Sequence, residues 1–269
     1  MLENEAQNFE LLTKNSDPHL KSFLLKSKLR FDYNFQVKNK TARNIIGLIK
    51  GANKNLKDEY LTMGAHYDHE GIKNGEVYNG ADDNGSGTVT LLEVARKLSI
   101  SKENERPIIV IFHTGEEKGL KGSKYLTNNS NFMDSVIVHV NVDMVGRKSE
   151  DSIYCIGASK ISSELGELIK DVNLETTNFH LDYKFDDPND HNRFYYRSDH
   201  INYAKKGIPI AFFYDYMKTD YHKPTDTVDK INFDKIVRMT DLIYNLFVKI
   251  SNLDHKLLVD ELSTNLSRI

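Results

Sequence analysis

The sequence predicts an α/β fold, a three-layer sandwich with a mixed, largely parallel central sheet flanked by helices. Three observations point there. Short apolar runs of strand length recur along the chain, at 43–51 (RNIIGLIKG), 59–66 (EYLTMGAH), 106–114 (RPIIVIFHT), 135–143 (SVIVHVNVD) and 208–214 (IPIAFFY). Stretches of helical periodicity separate several of them, the alternation that builds a parallel sheet. The runs at 106–114 and 135–143 also read as buried central strands, covered on both faces.

Taken in order, residues 1–30 read as helical, with Leu2, Ala6, Phe9 and Leu12 at helical spacing and a break near Asp17–Pro18; residues 31–38 alternate like a strand. Residues 1–40 are expected to form an N-terminal helical or connecting segment ahead of one compact domain, 41–269. A helix is expected from about Ser86 to Leu98, with Val89, Leu91, Leu92, Val94, Ala95 and Leu98 as its apolar face. Residues 161–172 read as helical, and 174–196 are polar and aromatic without a clear period. Residues 233–250 form an amphipathic helix whose apolar side is Ile236, Met239, Leu242, Ile243, Leu246, Phe247 and Ile250.

The bulk chemistry excludes several classes. A net charge of −3, from 36 basic and 39 acidic residues, gives no basic field for nucleic acid. No apolar run approaches the roughly 18–20 residues that span a bilayer. The single cysteine, Cys155, precludes an internal disulfide framework and a cysteine-built zinc site, and its flanks read as a strand. The N-terminal residues MLENEAQNFELL contain no signal-peptide core.

Sheets of this kind hold their active sites at the carboxyl ends of the strands. His66 and Asp68 follow the run 59–66, Glu116 and Glu117 follow 106–114, Asp143 ends 135–143, and His222 lies in the loop after 208–214. In GAHYDHEG (64–71), a His and an Asp two apart suit an imidazole ligand oriented by a carboxylate. GADDNGSG (80–87) opens a helix and reads either as a loop with Ser86 or Asn84 as cap or as a turn that points one aspartate at a metal pair. TGEEKG (114–119) sets two glutamates after a buried strand, one available to a metal and one to protons. Asp143 in NVDMVGR needs a partner if buried, and in DYHKPTDT (220–227) Asp226 is near enough to orient His222. Histidine nitrogen and carboxylate oxygen are donors that zinc takes.

The order and wording of these motifs, from about Ala42 to about Asp234, resemble the co-catalytic two-zinc exopeptidases, the family of the bacterial secreted leucine aminopeptidases and of glutamate carboxypeptidase. The resemblance implies two Zn2+ per chain: one on His66 and Asp143, the other on Glu117 and His222, with Asp83 bridging and Asp82 not a ligand. It implies Glu116 as general base toward a water shared by the metals, Tyr221 as the group that steadies the tetrahedral intermediate, and Arg197, in RSDHINYAKKGIP, as a neighbour of the substrate amine. Asp68 and Asp226 stand behind the ligands, and the Asp83–Asn84 peptide bond is expected to be cis. The implied activity is hydrolysis of the N-terminal peptide bond of a peptide substrate. The family also implies export to the periplasm or outside the cell, directed by a segment that is not among these residues, and an upstream protease-associated domain in the full gene product.

Three other readings share the motifs. A carboxypeptidase or dipeptidase would use the same metal site. A single-zinc glutaminyl cyclase uses tryptophans around its substrate, and this chain has none. A non-enzymatic relative would have lost the ligands, whereas all five stand here. Eight of the ten histidines carry no ligand role in this reading. His113 and His139 are expected to be buried and hydrogen-bonded, His200 to support the site loop, His69 to stand behind the ligands and His191 to line a cleft. His19, His180 and His255 are expected at the surface.

Overall fold

Strand β1 (Ile45–Ile49) pairs antiparallel with β5 (Ile108–His113), and β5 lies parallel to β2 (Tyr60–His66). Next come β6 (Val136–Asp143) and β9 (Ile210–Tyr214), both parallel to β2. The far edge is β7 (Ser152–Ile156), antiparallel to β9, followed by β8 (His180–Asp182), parallel to β7. The seven-stranded order is therefore β1-β5-β2-β6-β9-β7-β8. A separate hairpin joins β3 (Gly71–Lys73) to β4 (Glu76–Tyr78). The computed structural model describes residues 39–147, 149–215 and 219–260. The helix and strand expected within residues 1–38, and His19, lie outside them.

The central strands are buried on both faces because they alternate two apolar sets. Leu61, Met63, Ala65, Ile108, Val110, Val138, Val140, Val142, Ala211 and Phe213 enter one core. It is closed by helices α1 (Gly87–Ser101), α4 (Ser163–Glu175) and α6 (Phe233–Ser251). Ile109, Ile111, Ile210, Phe212 and Tyr214 enter the other, with α2 (Lys121–Asn129) and α5 (His200–Ala204). Short helix α3 (Ala158–Ile161) precedes α4. At roughly 25 cal/mol per Å2 of apolar surface removed from water, these two layers supply the main driving force for folding.

Every expected strand from 43 onward forms, trimmed by one or two residues at its ends. In α6 all seven residues of the expected apolar side are buried, and Asn232 caps its start by accepting from the Lys235 amide. In α1 only part of the expected face is covered: Leu91, Val94 and Leu98 are buried, while Val89 and Leu92 are about half exposed. The buried spacing of three and four residues is narrower than the run of apolar residues. The helix expected at 161–172 is two helices, because Ser162 adopts an extended backbone and caps α4 by accepting from the Leu165 amide. Among the described residues no helix is long and apolar enough to cross a membrane.

Candidate metal centre

The second face of the sheet carries polar residues where apolar ones would otherwise sit. Alternation in β2 puts Thr62, Gly64 and His66 on that face, and in β6 it puts His139, Asn141 and Asp143 there. Thr62 Oγ1 lies 2.9 Å from His139 Nδ1, and the His139 ring stacks on Tyr203 at 3.5 Å. His113 Nε2 is 3.3 Å from the Tyr203 hydroxyl. Gly64 leaves room for these rings, since a Cβ there would sit 2.8 Å from His139 Cε1. Burial holds His113 and His139 below the usual histidine pKa, so both are neutral packing groups. The polar line ends at the carboxyl edge of the sheet in His66 and Asp143.

There His66 Nε2 lies 3.2 Å from Asp143 Oδ1 and 3.3 Å from Asp83 Oδ1. On the other side of Asp83, His222 Nε2 lies 3.3 Å from Asp83 Oδ2 and 3.0 Å from Glu117 Oε2. Each oxygen of Asp83 thus faces its own His–carboxylate pair. Asp83 comes from the irregular turn Ala81–Ser86, where its bond to Asn84 is cis. Asn84 Nδ2 donates to the Val142 carbonyl at 2.9 Å, and its Oδ1 accepts from the Gly87 and Met144 amides, tying the turn to α1 and β6. His222 has φ 54°, in the left-handed region uncommon for a non-glycine residue.

Glu116, Tyr221 and Arg197 converge on the same place. With His66, Asp83, Asp143, Met144, Phe194 and Tyr214 they line a small cavity of about 30 Å3. The Tyr221 ring stacks on His222 at 3.8 Å, and the Arg197 guanidinium lies over the Phe194 ring at 5.0 Å. The aromatic run Phe194, Tyr195 and Tyr196 is divided between two cavities. Phe194 faces the small cavity, whereas Tyr195 and Tyr196 line a cavity of about 630 Å3 with His191, Arg193, Lys160 and Asp190.

The supporting residues act differently from their expected roles. Asp68 meets His66 through its main-chain oxygen, 3.0 Å from Nδ1; its carboxylate is 3.9 Å away and accepts the Glu116 amide instead. Asp226 does not orient His222. It accepts the amides of Asp82 and Asp83, each at 3.0 Å, and pairs with the buried Arg147 at 2.6 Å. It is Glu70 that stands nearest the outer nitrogen of His222, at 3.7 Å. Ser198, of the RSDHINYAKKGIP motif, donates to Asp143 Oδ2 at 2.7 Å and so turns Oδ1 toward His66. His200 is buried, bonds to the Tyr195 carbonyl at 2.8 Å and stacks on Phe212.

The electrostatics follow from burying several carboxylates together. Burial, then the charges of Asp143, Asp199 and Glu117, hold Glu116 well above the usual carboxylate range, against the pull of His66. Burial acts the same way on Asp83 and Glu117 but loses to the adjacent imidazoles: His222 and His66 drive Asp83 far down, and His222 and His69 bring Glu117 to about 2. Contacts with Asp83 and Glu117 lift His222 to about 10. Burial opposes a charge on His66, yet Asp143, Asp83 and Glu116 raise it well above its ordinary value. The cluster draws positive charge to both poles.

The residues fit divalent zinc. Two donor groups, His66–Asp83–Asp143 and His69–Asp83–Glu117, and a third, Glu70–Glu117–His222, each gather donor atoms within 4.8 Å of one another. The separations of 3.0 to 3.3 Å within each pole match the roughly 3.3 Å between donors held about 2.0–2.1 Å from a tetrahedral zinc.

Residues 44–247 match the model of peptidase family M28, and the chain belongs to that family. A probable leucine aminopeptidase of Trichophyton verrucosum (strain HKI 0517) is 29% identical over 198 residues, 69% of this chain and 52% of that protein. The aminopeptidase from Aneurinibacillus sp. strain AM-1 superposes with a TM-score of 0.63 at 26% identity, covering 81% of this chain and 50% of that one. A zinc aminopeptidase from Bacillus subtilis superposes at 0.61 with 28% identity, covering 76% and 48%. The chain spans about half the length of each.

Proposed function

We propose that this chain is the catalytic unit of a zinc-dependent aminopeptidase holding two Zn2+, with His66, Asp143 and Asp83 around one and Glu117, His222 and Asp83 around the other. The observation that carries this is the double-facing Asp83 carboxylate, each oxygen 3.3 Å from a different histidine. Zinc ions bound there would lower the pKa of water toward about 7 and polarise a carbonyl oxygen. Two cations bound there would offset the burial and carboxylate crowding that raise Glu116, leaving it ionised in the cavity to take the proton of the attacking water as the new carbon–oxygen bond forms. Glu116 returns that proton to the amine nitrogen as the carbon–nitrogen bond breaks. Tyr221, whose hydroxyl burial and nearby carboxylates keep protonated, donates a hydrogen bond to the carbonyl oxygen as it gains charge. Asp143 and Glu116 present carboxylate oxygens to a substrate ammonium, and Phe194, Met144 and Tyr214 give an apolar wall for the first side chain.

One observation favours a second reading. Arg197 enters the same cavity and is the kind of cation that clamps a terminal carboxylate in a carboxypeptidase. Its stacking on Phe194 and the surrounding acids weigh toward the amine. Metal analysis after dialysis against zinc tests the site: two ions per chain, with hydrolysis of leucyl p-nitroanilide lost on chelation, supports the proposal. No bound zinc, or turnover indifferent to chelator, overturns it.

A further inference from the structure

Behind the Glu117–His222 pole stands an imidazole that the five-ligand set does not use. The His69 side chain is only 9% exposed, and neither ring nitrogen has a hydrogen-bond partner. Its Nδ1 nevertheless lies 2.9 Å from Glu117 Oε1 and 3.9 Å from Asp83 Oδ2. Glu117 Oε1 is likewise buried without a hydrogen bond. Leaving a buried polar atom unsatisfied costs about 1–3 kcal/mol, and here two such atoms adjoin without hydrogen-bond alignment. A cation between them satisfies both.

The ring is held in place by the backbone around it. Gly80 has φ 65°, and a Cβ there would lie 2.6 Å from His69 Cγ and 2.5 Å from the Asp83 carbonyl oxygen. The His222 ring meets His69 edge-on, with centroids 5.8 Å apart and planes at 75°. His69 and His222 therefore approach different oxygens of Glu117, Oε1 and Oε2, while both look toward Asp83 Oδ2.

We propose that His69 is itself a ligand, through Nδ1, of the metal at the Glu117–His222 pole. This inference rests on the metal-centre reading above. It makes the two poles unequal: His69, His222, Glu117 and Asp83 on one side, His66, Asp143 and Asp83 on the other. Imidazole donors suit zinc, so the two-imidazole pole fills first and releases its ion last.

The test uses the full chain labelled with nitrogen-15 at histidine and loaded with cadmium-113. One-bond coupling between cadmium and ring nitrogens counts the imidazoles that touch metal. Three coupled histidines are expected, falling to two in His69→Ser, with the tighter cadmium affinity reduced roughly tenfold or more and the weaker one unchanged. Coupling from only His66 and His222 in the unaltered chain overturns the proposal, even if His69→Ser weakens binding, because His69 then acts only by positioning. If a single ion binds and couples to His69 and His222, the ligand role of His69 stands and the two-ion reading falls.

Discussion

The carboxylate of Asp226 accepts the main-chain N–H of Asp83 at 3.0 Å, so the loop that carries His222 also fixes the residue shared by both poles of the centre. The same carboxylate neutralises the buried Arg147. Asp226→Ala removes both functions at once. Breaking a buried ion pair from one side costs about 3–5 kcal/mol. Urea denaturation is expected to show a loss of that order, and zinc titration to show weaker binding at both poles. Unchanged stability and zinc affinity would mean the Asp226 contacts are incidental.

The adjacent glutamates separate by substitution. Glu116 lines the cavity without entering any of the donor groups, whereas Glu117 faces His222 at 3.0 Å. Glu116→Gln should therefore keep its metal and lose turnover by about 10²–10⁴-fold, the usual worth of a general base. Glu117→Gln should lose metal from one pole. Metal analysis of both variants checks the division, and equal metal loss in the two would reverse it.

Much of the site was readable because strand periodicity has a sharp end. Once 59–66, 106–114 and 135–143 read as strands, His66, Glu116, Glu117 and Asp143 had to gather at one edge. What escaped depends on distance in the chain. Asp226 reads as a partner of His222 four residues away, but it folds back onto Asp82 and Asp83, over 140 positions earlier. His69 gives no signal apart from its neighbours. Lys235, in the first turn of α6, is fully buried against Asp215 and the Arg147 and Ser152 carbonyls, partners far from it in the chain. The hairpin at 71–78 did have a signal: Asn74 and Gly75 both take positive φ, the Asn-Gly turn that joins two short strands. Helix α2 had little, since KGSKYLTNN buries few apolar side chains.

The buried neutral histidines contribute to the acid dependence of stability. Burial brings His200 down to about 3, against the pull of its bond to the Tyr195 carbonyl. Between about pH 6.5 and pH 3 the unfolded chain binds a proton at this residue that the folded chain does not, so stability rises with pH across that window and falls on acidification. One such group contributes up to about 1.4 kcal/mol per pH unit. In the presence of chelator, His200→Gln should flatten the fall in urea-denaturation stability between pH 6 and pH 4 by about that amount. A slope equal to the parent's would show that His200 is charged in the folded chain.

The proposed preference for a free amine rests on acids crowding a cavity that holds Arg197 stacked on an aromatic ring. Carboxylate oxygens accept from a substrate ammonium, and acetylation removes that charge. The most direct test compares kcat/KM on leucyl p-nitroanilide and its N-acetyl form, with the zinc-loaded chain. The free-amine substrate should be favoured by at least about tenfold, equivalent to about 1.4 kcal/mol. Equal rates on both, or release of C-terminal residues from N-blocked peptides, would contradict an aminopeptidase while leaving the metal centre in place.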